Sequence, residues 1–294
     1  MQLPCGSCII TFNIFKMKKI SAAFDGLKFS KATLDYAIDL TKHSQAILTG
    51  VFLEDFLYHS FNLYDMVGSE GISSTKLKRL MDKDKVKRQD AVQLFKKACS
   101  EKKVNYIVHQ DESFAINDLL KESIYGDLVL IGAQETMNHF QQDKPTPFVK
   151  DLLASSQCPV LVVPGIYRPI DRVTLLYDGR PSSVYAIKMF NYLFPWLSKT
   201  PVEVVFAQDD DKSTKLPDEL LFKELIACYY PQVNYKILKG EPEKALLSHL
   251  QNLSSNNVVV MGAYSRGTVS RMFSASMANR LMEALDVPMF IAHK

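Results

Sequence analysis

Short apolar runs alternate with longer stretches of helical spacing along most of this chain. Lys19–Asp25 is a run of the first kind. Ser30–His43 is one of the second, with Ala32, Leu34, Ala37, Ile38 and Leu40 on one stripe. The pattern continues with strands expected at Ala46–Leu53, Asn105–His109, Leu128–Gly132 and Val160–Pro164. Helices are expected over Lys76–Lys102, Ile116–Ile124 and Pro147–Ser155. The long helix should carry Leu77, Leu80, Met81, Leu94, Phe95 and Ala98 on its apolar face. Its start, Lys76–Arg88, mixes Lys and Arg with Asp82 and Asp84, which predicts a solvated face. Residues 55–75 hold several aromatics, Gly68 and Gly71, and read as an irregular insertion.

The second half reads the same way. Strands are expected at Val173–Tyr177, Glu203–Ala207, Asn234–Leu238, Val258–Met261 and Met289–Ala292. Helices are expected at Ser183–Leu197, Asp218–Tyr229, Glu243–Asn252 and Arg271–Ala284. Landmarks recur in order: Phe24-Asp25-Gly26 with Tyr177-Asp178-Gly179, Ile131-Gly132-Ala133 with Met261-Gly262-Ala263, and Cys158-Pro159-Val160 with Val287-Pro288-Met289. Asp25 and Asp178 are 153 positions apart (178 − 25), whereas Gly132 and Gly262 are 130 apart (262 − 132). The sequence therefore predicts two copies of one αβ unit, with about 23 extra residues between the first strand and the Gly132 strand of the first copy. The units are placed at residues 17–165 and 170–294, joined near Gly165–Pro169.

Alternation of strands and helices predicts a doubly wound α/β fold, a parallel sheet covered on both faces. Ligands of such sheets bind at the carboxyl ends of the strands, where Asp25, Asp178, Gly132 and Gly262 are expected. With 294 residues of which 47% are hydrophobic, the chain can fill two cores. A net charge of +3 gives no support to a nucleic-acid partner, and no apolar run is long enough to predict a membrane span. Residues 1–16 lack the layout of a secretory signal, and Met17-Lys-Lys-Ile20 reads as the natural start. Cys99, Cys158 and Cys228 are expected to be reduced core residues, and Cys5-x-x-Cys8 stands before the first strand, the wrong place for a redox pair. A cytoplasmic location follows as the default. The six histidines are scattered and no metal is expected.

The segment Gly262-Ala-Tyr-Ser265-Arg266-Gly267-Thr268 follows a strand, and Ser274-Ala275-Ser276 stands close to the next helix start. Small residues, hydroxyls and a helix N-terminus suit a phosphate, while a plain strand-to-helix turn is the structural alternative. The loop lacks the lysine of a P-loop. No Gly-x-Gly-x-x-Gly or Gly-x-Ser-x-Gly is present, so dinucleotide binding and triad hydrolysis have no support. Asp178 suits either a ribose contact or a turn; for Asp25 the structural role is favoured.

Together these residues resemble the universal stress protein family over almost all of 17–294, as two tandem copies. The resemblance implies a five-stranded parallel sheet in each copy and no catalysis. It implies ATP binding through Gly-x2-Gly-x9-Gly-[Ser/Thr], with the first-strand Asp near the adenosine. In the second copy the pattern falls on Gly262, Ser265, Ala275 and Ser276, so two glycines are replaced. The implied nucleotide site comprises Asp178, Ala207, Gly262, Ser265, Arg266, Gly267 and Ser276. In the first copy the loop reads Gly132-Ala-Gln134-Glu135, where Glu135 is expected to repel an anion and abolish the site. The two copies are expected to pair within the chain through Val160–Val163 and Met289–Ala292, with a homodimer left open. A protein-interaction module without nucleotide is the alternative.

Overall fold

The structure, a computed structural model, describes residues 16–55, 74–113, 115–137, 142–209, 215–264 and 275–293. The first half runs β1 (Lys19–Asp25), α1 (Lys31–Ser44), β2 (Ile47–Asp55), α2 (Ser74–Glu101), β3 (Tyr106–Ser113), α3 (Ala115–Tyr125), β4 (Leu128–Gly132), α4 (Pro147–Ser155) and β5 (Val160–Val163). The second runs β6 (Arg172–Leu176), α5 (Pro181–Leu193), a 3-10 turn (Pro195–Lys199), β7 (Val202–Gln208), α6 (Glu219–Ala227), β8 (Asn234–Lys239), α7 (Pro242–Gln251), β9 (Asn257–Gly262), α8 (Ala275–Ala284) and β10 (Met289–Ala292).

All ten strands form one sheet in the order β3-β2-β1-β4-β5-β10-β9-β6-β7-β8. Read inward from each edge, the halves have the same order, and pairing within each half is parallel. The seam is antiparallel, with Met289 opposite Val162 and Ile291 opposite Val160. The expected meeting of the two last strands is thus observed, and it fuses the two five-stranded units into one sheet.

Side chains alternate across this sheet into two apolar layers. Leu128, Leu130 and Val258 face one layer; Val129, Ile131 and Val259 face the other. Helix starts follow local chemistry. Ser30 Oγ accepts from Thr33 N at 3.2 Å to cap α1, and Thr146 caps α4 ahead of Pro147.

Four expectations need correction. The helix predicted to continue to Leu197 stops at Leu193, because Pro195 has no N–H to continue the ladder. Leu94 is 53% exposed, and the buried stripe of α2 is Ala91, Val92, Phe95 and Cys99. Leu94 lies one residue, about 100° of helix, from Phe95; the side chains of Leu77, Leu80 and Met81 lie outside the described residues. Arg88, placed on a solvated face, turns inward, as described below. Cys228 is exposed rather than in the core. The extra residues of the first half fall between β2 and β3, which are separated by 50 positions (105 − 55) against 25 between β7 and β8 (233 − 208). The predicted insertion at 55–75 and Cys5-x-x-Cys8 lie outside the described residues, apart from the strand end and the helix start.

Candidate functional site

Asp178 follows β6 and is half-buried. Its Oδ1 accepts from Arg180 N at 3.0 Å and Ser183 Oγ at 2.7 Å, which fixes the turn into α5. Gly179 takes φ +77, and a Cβ there would lie 2.5 Å from Pro217 Cβ. Tyr177 stacks on Phe222 with ring centroids 3.6 Å apart, and its hydroxyl donates to Pro217 O at 2.8 Å. The connection from β7 to α6 is therefore held over the β6 turn.

Ala207 is fully buried near the end of β7. Gly262 ends β9, and a Cβ on it would lie 2.3 Å from Ser182 O and 2.7 Å from Ser183 N. The first turn of α5 rests directly on this glycine, a packing reason for it that the sequence reading did not foresee. Ser276 is exposed in the first turn of α8. Ser265, Arg266 and Gly267 lie outside the described residues. The structure thus places Asp178, Ala207, Gly262 and Ser276 on the carboxyl side of β6, β7 and β9.

The corresponding position in the first half is filled from within. Glu135 is 5% exposed, and a Cβ on Gly132 would lie 3.1 Å from its Oε1. Its carboxyl group accepts from the backbone N–H of Asp25. Burial, and then the neighbouring Asp25 carboxylate, hold its pKa well above the usual carboxylate range. Asp25 is 1% exposed; Oδ1 accepts from Leu27 N at 2.8 Å, and Oδ2 is buried without a hydrogen-bond partner among the described residues. Burial raises its pKa also, opposed by the Leu27 N–H and by Arg88. Arg88, from α2, donates to Leu53 O at 3.1 Å. Glu135 was expected to repel an anion by charge; in the structure it is buried and packed against Gly132, and burial favours its neutral form. Beside it a cleft of about 560 Å³ opens between the start of α1 and the ends of β4 and β5, lined by Lys28, Lys31, Gln134 and Gln142 among others.

Burial pushes the Cys99 and Cys158 thiols up to about 12, which makes them poor nucleophiles. Among the described residues no group of three or more His, Cys, Asp or Glu is placed to hold a metal. No helix among them is long and apolar enough to cross a membrane.

Known structures with this topology are extensive matches. A universal stress protein from Archaeoglobus fulgidus superposes with TM-score 0.69 over 95% of this chain and 99% of its own, at 16% identity. The chain has the universal stress protein fold. A Pseudomonas aeruginosa protein of unknown function matches with TM-score 0.56 at 14% identity, covering 95% of this chain and 94% of its own. A second P. aeruginosa protein, of the universal stress type, matches with TM-score 0.51 at 15% identity over the same shares. No protein-family model and no curated protein matches the sequence. In open α/β sheets ligands bind at the carboxyl ends of the strands, and at those ends the two halves differ.

Proposed function

We propose that the protein is a tandem member of the universal stress protein family, a non-catalytic cytoplasmic stress or signalling module that binds an adenine nucleotide, ATP, in its second half only. One observation carries this reading. In the first half Glu135 packs on Gly132 and Arg88 holds Leu53 O, while in the second the equivalent ends carry the small buried residues Ala207, Gly262 and Ala263, with Ser276 exposed at the start of α8. The residues fit the phosphate end of such a ligand: Ser276 supplies a hydroxyl, and the N-terminus of α8 supplies N–H donors and a positive dipole end. Asp178 would face the ribose while holding the α5 turn. ATP, when bound, would supply the charge to which these donors respond.

A second reading, a nucleotide-free interaction module, is favoured by one contact. Pro217 lies against Gly179 at the strand end where the base would stack. Calorimetry with ATP separates the two. The nucleotide reading expects saturable binding that Ser276→Glu weakens at least about tenfold through repulsion. Gly262→Glu is a poor probe, since even a Cβ there meets Ser182 O. No heat with wild-type protein ends the nucleotide reading.

A further inference from the structure

The turn after the first strand of each half is covered, but by different means. Gly26 and Gly179 are equivalent, as are Phe24 and Tyr177 (179 − 26 and 177 − 24, both 153). Over Gly26 lies Arg88: a Cβ on the glycine would stand 2.8 Å from Arg88 Cγ and 3.5 Å from its Cα. Arg88 belongs to the 28-residue helix α2, so this cover cannot leave without the helix. Over Gly179 lies Pro217, whose Cβ and Cγ would stand 2.5 and 2.9 Å from a Cβ there. Pro217 belongs to no helix or strand and stands two residues ahead of α6.

This short strap, residues 216–218, is held from below. Leu216 is buried in the apolar layer that also contains Tyr177. The Tyr177 hydroxyl donates to Pro217 O at 2.8 Å, and its ring stacks on Phe222 of α6. Burial, and then Asp218 and Asp178, push the Tyr177 phenol up to about 12, so it stays a donor throughout the neutral range. Phe24 has no hydroxyl; its ring packs on Phe29, Phe52 and Phe95. The tether is therefore particular to the half that has a strap. The strap is also strained. Asp218 takes φ +45 and ψ +40, the left-handed region that L residues enter at a cost, and as N-cap of α6 its side chain makes no capping hydrogen bond in return. Strain of this kind persists only where neighbouring contacts impose it.

The strap stands where a ligand of the second half has to pass. It lies in the connection from β7, the strand of Ala207, and comes down on the glycine next to Asp178. A single added carbon does not fit between Gly179 and Pro217, so a planar base does not fit there either.

We infer that residues 216–218 form an autoinhibitory strap, tethered by Tyr177, that an adenine nucleotide must displace to enter the second half. The inference rests on the nucleotide reading given above. Displacement breaks one hydrogen bond and frees Asp218 from its left-handed conformation. The first half has no such device, because its cover is part of a helix.

Tyr177→Phe tests this. It keeps the ring and removes the tether, and Phe24 shows that the fold accepts phenylalanine at the equivalent position. In calorimetry of the full chain, the variant should bind ATP about fivefold more tightly than wild type, the worth of one neutral hydrogen bond. Trypsin supplies a second readout. Lys215 is exposed ahead of the buried Leu216, and cleavage between them requires the strap to open. That cleavage should be about fivefold faster in Tyr177→Phe. ATP should speed it in wild type, whereas a ligand that leaves the strap in place and stabilises the fold would slow it. Binding by wild type with an affinity unchanged in Tyr177→Phe overturns the strap and leaves the nucleotide reading standing. So does ATP binding that slows cleavage after Lys215. No saturable binding by either protein up to about 10 mM ends the nucleotide reading and the strap with it.

Discussion

At the carboxyl ends of its strands the first half lays Glu135 over Gly132 and brings Arg88 to the carbonyl of Leu53. The second half packs the backbone of Ser182 on its glycine, and among the described residues no arginine stands at the end of β7. At the amino ends Glu122, from a helix, accepts from Lys19 and Ser21 in the first half, whereas in the second the carboxylate comes from the sheet, as Glu203, and faces His249 of a helix. Strand order is the same in both halves, so topology does not decide which ends stay open. A few long side chains decide it, and they come from helices α2 and α3 or from the loop after β4. A fold of this kind supplies positions for sites, and the residues at those positions supply the chemistry.

The two strand-end glycines offer the sharpest way to break this comparison. Gly262→Ala places a methyl 2.3 Å from the backbone of α5, which cannot yield without moving the helix. Gly132→Ala meets Glu135 Oε1 at 3.1 Å and Thr33 Oγ1 at 3.2 Å, both side-chain atoms that need to yield far less than a backbone at 2.3 Å. We expect a loss of roughly 3 kcal/mol or more for Gly262→Ala and about 1 kcal/mol for Gly132→Ala, read by urea denaturation. Equal losses would mean that the two glycines play one role, and the asymmetry would fail.

Arg88→Met comes next. The stem is retained, while the charged hydrogen bond to Leu53 O and the cation beside Asp25 are lost. A loss of roughly 2 kcal/mol is expected. Lys85→Met and Lys87→Met, on the exposed side of the same helix, should stay within about 0.5 kcal/mol. If all three behave alike, Arg88 is not part of the first half's closure.

Much of the framework was legible in the residues themselves. Lys19–Asp25, Leu128–Gly132, Pro147–Ser155 and Met289–Ala292 have the bounds that their apolar runs and prolines announced. Their signals are local: β-branched runs, and a capping Thr ahead of Pro. Arg88 was misplaced because composition was weighed over period. Positions 88, 92, 95 and 99 form one helical stripe, and the stripe put Arg88 inward although its neighbours are charged. Glu135 was read as a charge that would repel an anion, but its side chain packs on Gly132 and accepts from the backbone N–H of Asp25, far off in sequence. Gly262 was read for a ligand when Ser182 already required it.

The smallest effect concerns protons. Asp25 and Glu135 are buried side by side, and burial lifts both carboxyls above their ordinary values of 3.8 and 4.5. Above those values the folded state holds more protons than the unfolded one, so the pair's contribution to stability is complete at low pH. It is lost as pH rises through the raised folded values. Near neutral pH, folding must therefore either retain a proton on the pair or keep two like charges in a dry site. Glu135→Gln preserves the shape and an acceptor for the Asp25 N–H, and it removes one titrating group. The variant should be more stable than wild type near pH 7, by about 1 kcal/mol, with the difference shrinking as pH falls through the raised folded value and gone below about 4.5. Chemical denaturation at several pH values reads both the size and the sign. A variant that loses stability at neutral pH, or one whose pH profile parallels the wild type, would show that Glu135 is held as a charge, and that the first half repels anions rather than filling their place.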